Sequence, residues 1–134
     1  MSYATSILRA DPRPFDRDDR AVLADCIEAC LQCSQACTAC AEACLSEERV
    51  ADLSDCIRIG LDFADVTGAT ARVLSRHPGY DANLRRALLA ACRAACALSA
   101  DQCELQAETY SHCRVCAEAC RRCEAACARL LESL

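Results

Sequence analysis

Cysteine occupies the apolar positions of the first long amphipathic pattern in this chain. In the stretch CIEACLQCSQACTACAEAC, which runs from Cys26 to Cys44, cysteine recurs at alternating intervals of four and three residues. Side chains with this spacing lie on one face of an α-helix, and in a helical bundle that face is normally filled by leucine and isoleucine. The pattern therefore predicts a long helix, beginning at residues 16–19 and ending near residue 45, with thiols along its buried face.

Two further amphipathic patterns follow in the middle of the chain. The second predicted helix, about residues 50–76, carries Cys56 on its buried stripe, and the sequence His-Pro-Gly at residues 77–79 ends it. The third predicted helix, about residues 81–108, has three cysteines on one stripe and Ser99 in the gap between them. Both helices therefore turn cysteine towards the same interior as the first.

A fourth helix, about residues 112–132, returns to the strict alternation of four and three. A weak break at residues 46–49 separates the first helix from the second, and another at residues 109–111 separates the third from the fourth. Long helices joined by short turns favour antiparallel neighbours. We therefore expect an all-α fold: an antiparallel up-down-up-down four-helix bundle, formed as a single domain by residues 16–134, with a short N-terminal arm of residues 1–15 and with cysteines lining the core.

The antiparallel arrangement sorts the cysteines between the two ends of the bundle. One end is expected to bring His112 together with six cysteines, namely Cys40, Cys44, Cys56, Cys103, Cys113 and Cys116. The opposite end is expected to be more apolar and to contain Cys26, Cys92, Cys127 and Leu74.

Composition narrows the classes of protein to which the chain can belong. It has 15 cysteines in 134 residues and a formal net charge of −5. Such a cysteine content is typical of secreted disulfide scaffolds, but residues 1–20 contain no apolar run of signal-peptide length, so we expect a cytoplasmic protein with reduced thiols. The acidic charge argues against nucleic-acid binding. The chain has no run of about 18 apolar residues that would predict a membrane span.

The helical spacing also argues against disulfides. The Cβ atoms of a disulfide are about 3.8 Å apart, whereas successive turns of a helix hold them about 5–6 Å apart. Free cysteine can act as a small buried hydrophobe, which is a sufficient interpretation for Cys56 alone. It does not explain two stripes of six and five cysteines that no leucine, isoleucine or valine interrupts. Metal binding explains these stripes best.

Thiolates are soft ligands that select Cu(I), zinc or iron-sulfur clusters. Zinc and cluster sites commonly take their ligands from turns and loops, whereas every cysteine here lies on a predicted helix. Two sulfurs one turn apart can hold Cu(I) between them, and a facing helix can add a third sulfur. The pairs with this spacing are Cys26/Cys30, Cys33/Cys37, Cys40/Cys44, Cys92/Cys96, Cys116/Cys120 and Cys123/Cys127.

The residues thus favour a core that binds multiple Cu(I) ions per chain. One alternative is a metallothionein-like buffer for zinc or cadmium, which would differ in metal preference and stoichiometry. Another is an iron-sulfur or thiol redox protein, which would show a cluster spectrum or turnover with a dithiol. Two histidines and no glycine-rich phosphate loop leave few residues from which to build an enzyme site.

Three segments of the chain carry a resemblance to a known family. They are CIEACLQCSQACTACAEAC, the sequence DCIR at residues 55–58, and HCRVCAEACRRCEAAC at residues 112–127. Together they resemble the cytosolic bacterial copper storage proteins. The resemblance implies a four-helix bundle filled with thiolate-bound Cu(I), usually a homotetramer, with ions entering at an end where histidine lies. A copper chaperone or a chelator is the expected partner.

When the family's ligands are transferred position by position, the resemblance implies that every cysteine is a copper ligand. It implies the same role for the histidine that precedes the fourth-helix cysteines. The complete set is Cys26, Cys30, Cys33, Cys37, Cys40, Cys44, Cys56, Cys92, Cys96, Cys103, His112, Cys113, Cys116, Cys120, Cys123 and Cys127. Phe63, Thr67 and Ser99 stand where relatives often have cysteine, so we expect a lower capacity beside the second helix. We interpret His77 as a structural or surface residue.

Overall fold

Five α-helices make up most of the chain. The computed structural model describes residues 2–13, 17–76 and 82–134, and within these ranges it contains no β-strand. The helices are α1 (Tyr3–Ala10), α2 (Arg17–Leu45), α3 (Ser54–Arg76), α4 (Ala82–Gln106) and α5 (Ser111–Ser133), and a 3₁₀ turn, Val50–Leu53, precedes α3. Helices α2 to α5 each pack against the next, α5 packs back against α2, and α1 packs on α2. The predicted all-α four-helix bundle is confirmed.

The predicted helix limits agree closely with those of the structure. The second predicted helix begins as the 3₁₀ turn at residue 50, and the third ends at Gln106, two residues before its predicted end. The predicted break at residues 77–79 and the predicted helix start at residue 81 lie outside the described residues. The division into an arm of residues 1–15 and a single bundle domain of residues 16–134 stays a prediction.

Small residues bring α3 close to α2. Gly60, Ala64 and Gly68 lie at intervals of four residues on α3 and are buried. A Cβ atom added at Gly60 would lie 3.5 Å from the backbone oxygen of Cys37, and one added at Gly68 would lie 3.1 Å from Oγ of Ser34. The Ser34 hydroxyl donates a hydrogen bond to the backbone oxygen of Ala64 at 2.9 Å. A Cβ atom at Gly68 would therefore crowd Ser34, whereas Gly60 leaves room for one in ordinary van der Waals contact.

Leucine and isoleucine are concentrated at one end of the core. This end is formed by the start of α2, the end of α3, the start of α4 and the end of α5. Its buried apolar side chains, joined by one from α1, are Leu8, Leu23, Ile27, Leu74, Leu89 and Leu130. We call it the closed end, and its apolar character agrees with the prediction.

The outer surface of the bundle is tied together by ion pairs. Arg121 of α5 lies 2.8 Å from Glu104 and 2.5 Å from Asp101, both on α4, and Arg129 of α5 lies 2.5 Å from Asp25 of α2. Exposed pairs of this kind contribute only about 0.2–1 kcal/mol each to stability.

In the described ranges, none of the helices has the length and apolar character needed to cross a membrane.

Candidate metal centre

All fifteen cysteines are free and buried in the interior of the bundle. Helix α2 supplies six of them, α3 one, α4 three and α5 five. We call this array of sulfur atoms the sulfur column. It arises because the heptad-like spacing puts each set of thiols on the helix face that packs inward.

A triangle of sulfurs lies in the middle of the sulfur column. Sγ of Cys120 lies 3.6 Å from Sγ of Cys33 and 3.6 Å from Sγ of Cys37, and the latter two atoms are 3.9 Å apart. Cys33 and Cys37 form one of the predicted pairs one turn apart, and Cys120 of α5 supplies the third sulfur. The structure thus places a facing-helix thiol against a same-helix pair.

Most of the other close sulfur contacts also join different helices. Towards the closed end, Sγ of Cys30 lies 3.6 Å from that of Cys123 and 3.9 Å from that of Cys92. Sγ of Cys26 lies 3.8 Å from that of Cys127. Contacts between helices, more than pairs within one helix, therefore organise the column.

The opposite end of the column combines thiols with an imidazole. Nδ1 of His112 lies 3.4 Å from Sγ of Cys40, 3.6 Å from Sγ of Cys113 and 3.9 Å from Sγ of Cys44. Nε2 of the same ring lies 3.1 Å from a carboxylate oxygen of Glu47. We call this the open end. Its composition agrees with the predicted grouping of His112 with these thiols.

Five groups of ligand atoms converge closely enough to hold a metal ion, with all atoms of a group within 4.8 Å of one another. The groups are Cys30, Cys92, Cys123 and Cys127; Cys40, Cys44, His112 and Cys113; Cys33, Cys37 and Cys120; Cys33, Cys96 and Cys123; and Cys40, Cys103 and Cys116. Cys33, Cys40 and Cys123 each belong to two groups, so neighbouring sites share sulfurs. Among the described residues, Cys26 and Cys56 belong to none of these groups.

Solvent reaches the column from the open end. The cysteines with measurable exposure are Cys40, Cys56, Cys103 and Cys116, at 6%, 5%, 3% and 2%. All four were predicted to lie at this end, and the other cysteines are 0% exposed. The measurable exposure of the cysteines is thus confined to the open end, whereas apolar residues cover the closed end.

Burial and sulfur contacts shift the thiol pKa values in opposite directions. Burial raises the pKa of Cys44 to about 12, and it also raises the pKa of Cys113 above the ordinary thiol value. Hydrogen bonds from Cys103 and Cys116 lower the pKa of Cys40. The thiols of Cys44 and Cys113 are therefore neutral in the metal-free protein, and each must lose its proton to bind a soft metal ion as a thiolate.

Hydroxyl groups fill positions that cysteine could occupy. Ser99 is 1% exposed and lies in the sulfur column, where its Oγ accepts a hydrogen bond from Cys120 at 3.4 Å and lies 3.8 Å from Sγ of Cys37. Thr67 is fully buried, and its hydroxyl donates to the backbone oxygen of Phe63 at 2.8 Å. Helix α3 therefore contributes only Cys56 to the column, which agrees with the sequence pattern.

Sequence reasoning did not identify Glu47 as part of this centre. A signal was present, because Glu47 continues the stripe of Cys40 and Cys44 by one further step of three residues. Helix α2 ends before Glu47, which lies in the turn that follows. Helix periodicity therefore gave no reason to expect the Glu47 carboxylate beside His112. The other histidine, His77, lies outside the described residues.

The fold and the centre together define a class of protein: a four-helix bundle whose core is a column of free thiols, suited to soft metal ions. A family model described as copper storage protein matches residues 19–132 of the chain. The chain belongs to the copper storage protein family. No curated protein sequence matches it.

Solved structures with high similarity come from Streptomyces lividans. The copper storage protein Ccsp of that organism, loaded with 10 copper equivalents, has 57% sequence identity and a TM-score of 0.93, over 98% of this chain and 99% of that one. A structure of copper loading to the cytosolic protein, with five coppers, has 60% identity and a TM-score of 0.86, over 89% and 99%. A double histidine-to-alanine variant of Ccsp has 62% identity and a TM-score of 0.84, over 86% and 97%.

Proposed function

We propose that this protein is a cytosolic store that holds multiple Cu(I) ions per chain in its sulfur column, with the fifteen cysteines and His112 as ligands. Two structures of the S. lividans protein support this proposal, one with 10 copper equivalents and one with five coppers. In the second the protein is described as cytosolic. The role is sequestration and release of the ions without catalysis. The family to which the chain belongs supports a storage role.

The triangle of Cys33, Cys37 and Cys120 is the observation that carries the proposal. Its sides of 3.6, 3.6 and 3.9 Å put the centre about 2.1 Å from each sulfur, close to a metal–thiolate bond of about 2.3 Å. Three converging sulfurs suit Cu(I), whereas structural zinc takes four ligands in a tetrahedron. Sulfurs shared between neighbouring groups allow one thiolate to bridge two ions, so many ions fit in one core.

Charge also favours monovalent copper in this interior. Bringing many thiolates together without a counter-charge in a dry core is costly. Each bound Cu(I) compensates one thiolate charge, and without metal the buried thiols stay neutral and mildly apolar. The bundle is therefore expected to be folded both empty and loaded.

An anaerobic titration tests the proposal. Fully reduced apo-protein is titrated with Cu(I) in the presence of a coloured Cu(I) chelator, and the thiols are counted before and after. We expect at least one ion for every two thiols to bind before the chelator registers copper, with the circular-dichroism spectrum helical from the start. Saturation after one or two ions would refute storage.

Zinc or cadmium buffering is a second candidate because one group offers four sulfurs. Cys30, Cys92, Cys123 and Cys127 supply the ligand number that zinc takes. If the store is for copper, adding Cu(I) to zinc-treated protein releases all bound zinc into a zinc indicator. Retention of zinc against stoichiometric Cu(I) would instead assign this group to zinc.

The open end is the proposed point of exchange with a copper chaperone or a small chelator. It contains His112 and the four cysteines with measurable exposure. Delivery of Cu(I) as a chelator complex to wild type and to His112→Ala tests this role. We expect slower uptake in the variant and an unchanged final number of ions. Equal uptake rates would exclude His112 from the path.

We further propose that the chain forms a homotetramer. Helices α2 and α3 border a groove of about 570 Å³ with the exposed apolar residues Leu31, Leu45 and Leu61 along it, and burial of such a surface between copies would favour association. Light scattering should then give four times the 14.5 kDa mass of one chain. A monomer mass for wild type would overturn this assembly, and Leu61→Arg should lower the mass if the groove is the contact.

A further inference from the structure

We propose that Glu47 is a positioning residue for copper uptake: it fixes the imidazole of His112 so that Nδ1 faces the thiols of the open end. This inference rests on the proposed storage function and adds to it a residue that is not a metal ligand. Its carboxylate oxygen lies 3.1 Å from Nε2 of His112, and the side chains are 36% and 24% exposed.

The hydrogen-bond chemistry of the pair sets the state of the ring. An ionised carboxylate can only accept hydrogen bonds, so Nε2 of His112 must carry the hydrogen that joins it to Glu47. In the neutral ring, Nδ1 then has a free lone pair. That atom is the one that lies 3.4 Å from Sγ of Cys40 and 3.6 Å from Sγ of Cys113. The carboxylate thereby selects the tautomer that can bind a metal ion on the thiol side.

The positions of the partners in the fold hold this arrangement in place. Glu47 lies in the turn after α2, whereas His112 lies in the first turn of α5, so the hydrogen bond spans the open end. The ring of Tyr110 lies 5.7 Å from that of His112, tilted by 35°, and supports the imidazole from a second direction. Tyr110 itself packs against the core. The imidazole is therefore oriented before an ion arrives.

Carboxylate partners of metal-binding histidines orient the ring and raise its basicity, and their removal typically lowers metal affinity or activity about 10–100-fold. We expect Glu47→Ala to weaken binding of the first Cu(I) equivalent, or slow its uptake, by about tenfold or more. The total number of ions should stay that of wild type, because the deeper sulfurs are unchanged. Glu47→Gln should recover part of the loss, since its amide oxygen can still accept from Nε2.

A matched control and a double variant separate positioning from other effects. Glu48 is the next residue in the same turn and is exposed, so Glu48→Ala should behave as wild type. In a His112→Ala background, Glu47→Ala should have no further effect on first-ion uptake. An equal effect of Glu47→Ala with and without His112, or an equal loss in Glu48→Ala, would overturn the proposal.

Nitrogen-15 NMR of the imidazole in the copper-free protein gives a readout that does not depend on storage. At a pH at which the ring is neutral, wild type should show His112 with hydrogen on Nε2 and an unprotonated Nδ1, and Glu47→Ala should move both signals towards a mixture of tautomers. Unchanged signals in Glu47→Ala would overturn the positioning role. If wild type binds no more than one or two ions, the storage function is refuted. The NMR result then still decides whether Glu47 orients the ring of His112.

Discussion

The Sγ atoms of Cys33 and Cys120 lie 3.6 Å apart in the core, although 87 positions separate the two residues in the sequence. The contact joins α2 to α5 and, with Cys37, completes the sulfur triangle. Because such contacts continue along the bundle, a chain of neighbouring sites connects the open end to the closed end. The access of reagents to these sites and the number of sulfurs in the column can both be tested.

The small exposure of the open-end cysteines predicts an order of chemical labelling. In the folded apo-protein, Cys40 and Cys56, at 6% and 5% exposure, should react with a thiol reagent before Cys30 and Cys123, at 0%. Brief labelling followed by peptide mass spectrometry measures this order. Labelling in denaturant is the control and should remove it. Earlier modification of the closed-end cysteines would contradict the assignment of the open end.

Replacement of Ser99 by cysteine should add a sulfur to the column. The Ser99 hydroxyl lies 3.4 Å from Sγ of Cys120 and 3.8 Å from Sγ of Cys37, so a thiol at this position joins existing ligands. We expect Ser99→Cys to raise the Cu(I) capacity by up to about one ion. Because the thiol is larger than the hydroxyl that it replaces, the free energy of unfolding should fall by no more than about 1–3 kcal/mol, the usual cost of added volume in a packed core.

Ser75→Cys is the matched control for this substitution. Ser75 is exposed near the end of α3, so its replacement adds a thiol outside the column. The Cu(I) capacity of Ser75→Cys in the chelator competition should equal that of wild type. An equal gain in both variants would show that any added thiol binds copper and that the column has no special role.

Copper binding at the open end should release protons. Because burial raises the pKa of Cys44 to about 12, this group is a neutral thiol at neutral pH, and its proton leaves when a metal ion binds the sulfur. The apparent affinity for Cu(I) should therefore rise with pH, by about tenfold per pH unit for each proton released. A pH indicator in weakly buffered solution counts these protons during loading. Cys44→Ser should release one proton fewer, and an unchanged count would exclude Cys44 as a ligand.

Two glycines of α3 should respond differently to alanine. A Cβ at Gly60 meets its nearest atom at an ordinary 3.5 Å, whereas one at Gly68 lies 3.1 Å from Oγ of Ser34. Gly60→Ala should stabilise the apo-protein by up to about 1 kcal/mol through helix propensity. Gly68→Ala should gain less or lose stability, because it crowds the hydroxyl that bonds to Ala64.

Urea unfolding followed by circular dichroism measures both glycine variants. Ser34→Ala removes the crowded oxygen, so Gly68→Ala should be better tolerated in that background than in wild type. Equal stability changes for Gly60→Ala and Gly68→Ala in the wild-type background would contradict the close packing of α3 on α2.

The sequence by itself determined the helices and the face on which each thiol lies. The spacing of four and three residues at Cys26 to Cys44 allows one arrangement on a helix, and it predicted both the bundle and the grouping of His112 with Cys40 and Cys44. Local spacing is enough for these features because the geometry of an α-helix is fixed. Ser99 was likewise visible as a gap in a stripe.

Only the tertiary structure decided which ligands meet. Contacts such as Cys30 with Cys123 depend on the axial stagger and rotation of two packed helices, which a periodic pattern leaves open because every turn of the stripe looks alike. The same holds for Glu47, whose carboxylate reaches His112 only after the turn that follows α2 folds across the end of α5. The sequence thus specified a face of thiols, and the packing of four helices turned that face into shared three- and four-ligand groups.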